Sequence, residues 1–279
     1  YYSISNINTT ASYAGLFGYI KGANIENLNV NNSSVVGNYA GAIAGYVHSS
    51  TLKNCNGANN TIKGYYSAGG ITGANRSASV IDGTLVSNTT VSAALTSSIS
   101  GERFVGGIAG KSEEGSIYNA KVINSNIYFA KDVYGYAGGI AGHMVVGAIF
   151  DCKNIGNIDA LNANYIGGIA GSCETVIFDS ISKSIISGSN YVGGLAGYAV
   201  ETTGSYAFVD MLAYDEFAGA LFGSTEELIL SANIFLIVSI SIIKEFNYHD
   251  NGISLCRDGF HLSYDYGRFT AEDGAVKFI

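Results

Sequence analysis

Hydrophobic, small and polar positions recur in one fixed order along most of the chain. The stretch Tyr136–Gly142 shows that order: an aromatic residue, a small apolar residue, two glycines, a branched aliphatic residue, a small residue and a closing glycine. Eight variations of this phrase end at Gly18, Gly45, Gly73, Gly110, Gly142, Gly171, Gly197 and Gly223, at intervals of 27, 28, 37, 32, 29, 26 and 26 residues. A period of about 20 to 50 residues is typical of a solenoid, a propeller or another repeat array.

Two positions of the phrase keep their chemistry from repeat to repeat. Six residues before the closing glycine, from the second repeat onwards, stand Tyr39, Ser67, Phe104, Tyr136, Tyr165, Tyr191 and Phe217. Two residues before it stand Ile43, Ile71, Ile108, Ile140, Ile169, Leu195 and Leu221. In a solenoid each residue lies over its counterpart in the neighbouring coil. We therefore expect an aliphatic column that fills the core and a column of stacked rings. The pattern does not decide whether the rings face the core or the solvent.

A weaker phrase follows each closing glycine, namely an apolar residue, any residue, and then Asn or Asp. It ends at Asn27, Asn54, Asp82, Asn119, Asp151 and Asp179, with Asp210 as a candidate seventh member. Asn and Asp side chains hydrogen-bond their own backbone at turns and tolerate left-handed conformations. We expect a column of Asx turns at a corner of the coil, with a cation site as the alternative. The glycine pairs predict a second corner or a bulge, where the backbone takes a positive φ or approaches another backbone closely.

The segments between these corners read as strands. Lys121–Tyr128 is an example, rich in β-branched residues and bounded by Asn and Gly, and no window carries a capped helical stripe. We predict an all-β protein, a parallel β-solenoid of about seven to eight coils of 26–37 residues, each with about three strands, over residues 1–224. Right-handed coiling is the default for parallel crossovers. The longest interval predicts a loop near residues 93–103.

Residues 225–279 do not repeat and are expected to form a C-terminal cap and tail. The apolar run Leu228–Ile243 has 16 residues, fewer than the roughly 20 of a membrane helix. We interpret it as a buried strand or helix that covers the last coil, and we predict no membrane span.

Composition narrows the possible partners. The net charge is −8, and Lys and Arg together number 14, so no basic surface is available to neutralise the phosphates of a nucleic acid. Proline is absent, which suits a chain that uses its backbone donors in strands.

Cys55 and Cys152 each stand ten residues after a closing glycine. Three coils of ~4.8 Å would separate them by about 14 Å, too far for a disulfide, so we expect small buried residues.

The phrases Ala14–Gly18 and Val192–Gly197 resemble the GLUG-motif repeats of large bacterial surface proteins, including adhesins and the non-catalytic parts of IgA-type peptidases. The resemblance covers about residues 11–223. It implies a secreted or surface-exposed, extended module within a larger protein. We expect this module to present its stacked Tyr- and Asn-rich face to a host protein, a glycan or another subunit, and we predict no cofactor. The start at Tyr1, without Met or a signal segment, is expected of a processed chain or of a piece of a longer one.

Within the repeats we find no catalytic, cofactor-binding or metal-binding constellation; His48 and His143 are predicted to be isolated loop residues. The tail differs, because Leu255–Ser263 resembles the last block of SGNH-type esterases, which ends in Asp-x-x-His. By that resemblance Asp258 would orient His261, the general base of a Ser-His-Asp triad. The nucleophile and oxyanion blocks are missing, and about 55 residues cannot build the required α/β core. We therefore expect a non-catalytic structural or adhesive module; the alternative is a hydrolase that uses Asp258 and His261 with a serine not identifiable in the sequence.

Overall fold

The protein is described by a computed structural model, which covers residues 1–94, 101–129, 134–213, 217–224, 229–231, 234–242, 269–272 and 275–278. Its strands follow the predicted repeat. The first coil contains β1 Tyr2–Ser5, β2 Asn8–Ala14, β3 Phe17–Lys21 and β4 Asn24–Glu26. The second contains β5 Leu28–Asn31, β6 Ser34–Gly41, β7 Ala44–His48 and β8 Thr51–Lys53, and the third β9 Asn56–Ala58, β10 Thr61–Gly69, β11 Thr72–Arg76 and β12 Val80–Asp82. The fourth contains β13 Leu85–Ser87, β14 Thr90–Ala93, β15 Arg103–Gly106, β16 Ala109–Ser112 and β17 Ser116–Tyr118.

The later coils keep this order with some strands fused across a corner. The fifth contains β18 Lys121–Phe129, β19 Gly135–Gly138, β20 Ala141–Met144 and β21 Ala148–Phe150, and the sixth β22 Lys153–Ala160, β23 Tyr165–Gly167 and β24 Ala170–Phe178. The seventh contains β25 Ile181–Ser182, β26 Ile185–Gly188, β27 Val192–Gly193 and β28 Ala196–Thr203, and the eighth β29 Tyr206–Ala213, β30 Ala218–Gly219, β31 Phe222–Ser224 and β32 Ile229–Ser231. Then come β33 Ile234–Ile242 and the pair β34 Phe269–Glu272 and β35 Ala275–Phe278.

The repeats stack in register, one coil on the next. The residues just before the closing glycines pair in parallel through Phe17, Ala44, Thr72, Ala109, Ala141, Ala170, Ala196 and Phe222. Among the described strands, the antiparallel pair is β34 with β35. The predicted parallel β-solenoid is confirmed. Most coils contain four strands rather than three, because two further bends, at positions such as Asn32 and Ser49, separate the glycine corner from the Asx corner on either side.

The core lies inside the coils. The aliphatic column from Ile43 to Leu221 is buried, as predicted, and it belongs to one continuous cluster of apolar side chains that runs from Ala14 to Phe222. Strand residues alternate between this core and the surface, as in the second half of β18, where Ser125, Ile127 and Phe129 are buried and the residues between them are exposed. Stacked Ile side chains therefore supply most of the favourable burial.

The glycine pairs are required by close packing and not by a left-handed backbone. A Cβ on Gly138 would collide with the Ala141 carbonyl oxygen and lie 2.6 Å from the Gly171 nitrogen of the next coil. A Cβ on Gly142 would lie 2.6 Å from the Val105 nitrogen of the preceding coil. The corner thus brings backbone against backbone both within a coil and between coils, which leaves no room for a side chain.

The Asx corner has the left-handed backbone that the second phrase predicts. Asn27, Asn54, Asn119, Asp151 and Asp179 have φ between 45° and 57°. In the third coil the corner residue is Gly83 (φ 65°) and not Asp82. Asp82 belongs to β12 and pairs with Lys53 and Tyr118.

The candidate seventh member of that corner, Asp210, is a wrong assignment. Asp210 lies in β29 and pairs with Ile185 on the other side of the coil. The corner position of that repeat is taken by Gly204, with φ 61°. Glycine substitutes for Asn or Asp here because it reaches the left-handed region without a steric cost.

Parallel pairing continues beyond Gly223 into the apolar run. β32 pairs with β28, and β33 pairs with β29 from Ile234 to Ile242. The described part of Leu228–Ile243 is therefore strand and not helix, and it adds a rung to the solenoid. No helix with the length and hydropathy of a membrane span occurs in the described residues. Of the predicted loop near residues 93–103, positions 95–100 lie outside the described residues.

Candidate functional site

A column of eight aromatic rings runs along the outside of the solenoid at the glycine corner. Its members are Tyr13, Tyr39, Tyr66, Phe104, Tyr136, Tyr165, Tyr191 and Phe217, and consecutive ring centroids lie 4.7 to 5.4 Å apart. Tyr13 is 44% exposed and Phe104 only 4%, and the other rings are half-buried. The predicted ring column is confirmed, and its face is the outer one. We call it the ring ladder.

One member of the ladder differs from the predicted set. Ser67 keeps the register of the column, pairing with Tyr39 and Phe104, but its hydroxyl is buried and donates to the Gly73 carbonyl at 2.7 Å. Pairing of β10 with β6 is irregular between Gly64 and Ser67. That irregularity brings the Tyr66 ring between those of Tyr39 and Phe104, so the ladder continues without a gap.

A second column flanks the ladder and was not predicted. It consists of the residues that follow the closing glycines: Tyr19, Tyr46, Ala74, Lys111, His143, Ser172 and Tyr198. Tyr19 stacks on Tyr46 at 5.5 Å, and Tyr46 meets the Tyr39 ring edge-on at 5.5 Å. Three of these positions carry Tyr, which was a visible signal in the sequence. It was missed because the repeat phrase was taken to end at the glycine. Ring ladder and flanking column together form a surface that we call the aromatic strip.

Charged groups in the middle of the strip are paired with one another. The Lys111 Nζ lies 2.9 Å from Glu113 Oε1 and 4.9 Å from the centre of the Phe104 ring. Glu113 also forms an ion pair with Arg76. These contacts hold the lysine over the ring, where its charge is attracted by the ring's electron-rich face. The middle of the strip is consequently a mixed aromatic and ionic surface rather than an apolar one.

His143 is a strand residue of the strip and not the loop residue that we expected; likewise His48 ends β7. The His143 ring stacks on Tyr136 at 4.8 Å, and its Nε2 donates to Glu174 Oε1 at 2.8 Å. Its Nδ1 is buried without a hydrogen-bond partner, so a proton there would have no acceptor. Desolvation lowers the pKa of His143 in spite of Glu174. The imidazole is therefore held neutral, as a flat ring with one donor.

Two tyrosines of the ladder, Tyr39 and Tyr136, are held as neutral phenols. Burial, followed by the negative groups nearby, raises the pKa of Tyr39 to about 12 and raises the pKa of Tyr136 still further. The Tyr136 hydroxyl lies 3.3 Å from Glu102 Oε1. A neutral phenol offers an apolar face and a hydroxyl edge that can donate and accept. The strip is thus suited to binding by contact and hydrogen bonds.

The cysteines occupy the predicted interior. Cys55 and Cys152 are free and buried, and the pairings on either side place Thr84 and Ala120 between them in the column. The prediction of equivalent positions without a disulfide is confirmed. Burial raises the pKa of Cys152 to about 12, which keeps the thiol protonated and unreactive.

The two residues assigned by resemblance to a hydrolase tail, Asp258 and His261, lie outside the described residues. No protein-family model, curated protein or solved structure matches the chain. The resemblances to GLUG repeats and to the SGNH tail thus stay hypotheses.

Proposed function

We propose that this chain is a non-catalytic repeat module of a secreted or surface-exposed bacterial protein, and that it adheres to a host protein or glycan through the aromatic strip. The β-solenoid fold is consistent with a structural repeat module. The observation that supports adhesion is the ring ladder, in which eight rings stack along the outside of the coils at a spacing of 4.7 to 5.4 Å and all but Phe104 are at least partly exposed.

The physical case rests on what an outward ring ladder offers. Tyrosine supplies a large contact area at a low cost in side-chain entropy, because it has only two rotatable bonds. In the ladder each ring is further fixed by the rings above and below, so little freedom remains to be lost on binding. The hydroxyl edges supply hydrogen bonds to a polar ligand. A regular row of such rings favours an extended partner that contacts several coils.

The secreted or surface location rests on the GLUG resemblance of the repeats. The aromatic strip itself is suited to contact with a partner. Its charged side chains are already paired within the chain, so the neutral rings are the groups that remain to make contact. A strip that served stability alone would still bury area between rings. Binding measurements separate the two roles.

The test measures binding of the purified chain to immobilised extracellular-matrix glycoproteins by surface plasmon resonance. Tyr165→Ser removes one rung from the middle of the ladder, and Tyr2→Ser removes a tyrosine that is 78% exposed in the first coil. We expect at least a tenfold loss of affinity in the first variant, about 1.4 kcal/mol, and none in the second. Thermal midpoints would show that both variants are folded. Equal affinity of Tyr165→Ser and the unaltered chain would contradict the adhesive role and would mean that the aromatic strip only stabilises the fold.

The non-catalytic part of the proposal is tested separately with a short-chain aryl ester. We expect turnover by the chain to equal that of His261→Ala. Turnover that disappears in His261→Ala would instead show a hydrolase tail carried on the solenoid.

A further inference from the structure

A groove of about 580 Å³ lies on the outside of the later coils, away from the aromatic strip. It follows from a change in one corner of the coil. In β18 two residues, Asn124 and Ser125, separate the paired positions Ile123 and Asn126, whereas in β22 only Gly156 separates their partners. The corner is tighter from the sixth to the eighth coil, and the groove lies over the tightened part.

The floor and walls of the groove come from successive coils. Gly156 and Ser184, both buried, lie at the corner itself. One wall carries Ile155, Lys183 and Phe208, and the other carries Asn126, Asn157, Ile185 and Asp210. The groove therefore runs along the solenoid axis and spans the fifth to eighth coils. Its volume falls in the range of about 300 to 1,000 Å³ that is usual for ligand sites.

Amide groups dominate one end of the groove. Asn126 and Asn157 are exposed, and Asn157 Nδ2 donates to Asn126 Oδ1 at 3.4 Å. An asparagine amide has two donors and one acceptor oxygen, so this long bond leaves further donors and an acceptor on both side chains. Two such amides on neighbouring coils, about 4.8 Å apart, form a row of mixed donors and acceptors. A row of this kind matches vicinal hydroxyls, which also donate and accept.

The other end combines apolar surface with one charge of each sign. The Lys183 Nζ lies 5.1 Å from the centre of the half-buried Phe208 ring, and Ile185 is 55% exposed. Asp210 stands beside Ile185 on the adjacent coil. The exposed apolar surface of Ile185 next to polar side chains suits a ligand with an apolar C–H face and a polar rim. With one lysine and one aspartate lining it, the groove has no net charge.

We propose that this groove binds a neutral oligosaccharide lying along the solenoid axis, with hydroxyls on Asn126 and Asn157 and the C–H face of a sugar ring against Ile185. Other ligand classes fit less well. A peptide strand would need an open sheet edge, but β22 is paired on both sides, with β18 and with β26. Nucleic acid and polyanions would need more than one lysine in the groove.

The inference is independent of the aromatic strip, because the two surfaces share no residue. Isothermal titration of the full chain with neutral hexasaccharides of glucose, of mannose and of N-acetylglucosamine tests it, beside a sulfated hexasaccharide as the anionic probe. We expect saturable binding of at least one neutral hexasaccharide. Asn126→Ala and Asn157→Ala should each weaken it about fivefold to tenfold, since both replace exposed side chains and leave the fold intact.

Two controls separate the groove from other surfaces. Asn24→Ala removes an exposed asparagine of the first coil, and Tyr165→Ser alters the strip; neither should change saccharide affinity. Unaltered affinity in both groove variants, no binding of any neutral hexasaccharide, or tighter binding of the sulfated one would each overturn the proposal. Loss of binding in Tyr165→Ser alone would place the saccharide on the strip, so that the groove inference fails while the adhesive function stands.

Discussion

Two buried asparagines should respond in opposite directions to the same substitution. Asn75 is fully buried between Val47 and Ser112 of the neighbouring coils, and both polar atoms of its side chain lack a hydrogen-bond partner. Asn60 is 2% exposed. Its Nδ2 donates to the Val30 carbonyl at 2.8 Å, and its Oδ1 accepts from the Ser33 backbone nitrogen at 2.9 Å. Leucine has the same number of side-chain heavy atoms as asparagine and no polar group.

The magnitudes follow from the partners. An unsatisfied buried polar group costs about 1–3 kcal/mol, and a buried leucine contributes about 1.5–3 kcal/mol. The larger methyl groups offset part of this gain. We expect Asn75→Leu to raise the free energy of unfolding by about 1–3 kcal/mol. Asn60→Leu removes both hydrogen bonds to the preceding coil and leaves the buried Ser33 N–H without its partner, and it should lower the free energy of unfolding by about 2–4 kcal/mol.

The assay is the thermal midpoint followed by circular dichroism, with all proteins in one buffer. For a chain of this size about 1 kcal/mol corresponds to roughly 2–4 °C. We therefore expect Asn75→Leu to melt about 2–12 °C higher and Asn60→Leu to melt lower than the unaltered chain. If Asn75→Leu melts as low as Asn60→Leu, the Asn75 amide has partners in solution, and the reasoning from its unpaired atoms is wrong.

Two further predictions concern the glycine corner and the aromatic strip. Gly138→Ala should lower the free energy of unfolding by at least about 3 kcal/mol, because a Cβ collides with the backbone. Gly22→Ala should lower it by only about 1–2 kcal/mol, since Gly22 has φ 63° and open space around it. Urea midpoints of both variants would show the difference, and equal losses would contradict the close-packing argument. His143 has a lowered pKa when folded, so the unfolded chain binds more protons below about pH 6.5 and stability should fall as the pH drops through that region. His143→Gln should flatten this part of the curve of unfolding free energy against pH, while the control His48→Gln keeps it. An unchanged slope in His143→Gln would refute the assignment of this pH dependence to His143.

The fold could be predicted because the repeat is visible without any knowledge of local structure. Identical spacing of Ile or Leu before eight glycines requires equivalent environments, and stacked coils provide them. The aromatic column followed from the same spacing. The spacing did not reveal the additional bends that divide most coils into four strands. Polar residues such as Asn32 and Asn59 take a left-handed φ at one of these bends, and no recurring sequence phrase marks the position.

Two of the errors share one physical origin, which is a shift of a single residue. Tyr66 replaces Ser67 in the ladder because an irregularity in β10 moves the ring by one position. Asp82 misses the corner because its coil turns one residue later, at Gly83. Such shifts preserve the stacked hydrogen bonds and exchange only which side chain faces outward, so they are invisible to a count of residues between glycines. The groove depends on the same kind of change, at Gly156, and could not be inferred from the sequence.

The in-register stacking of Ala109 on Ala141 and of Ala141 on Ala170 makes length an adjustable property of this protein. Because each coil rests only on its neighbours, a gene duplication that inserts one whole repeat reproduces the interfaces already present. Every added repeat would lengthen the molecule by about 4.8 Å and extend the ladder by one ring. Reach and the number of stacked rings would therefore grow together, without any change in the individual coil.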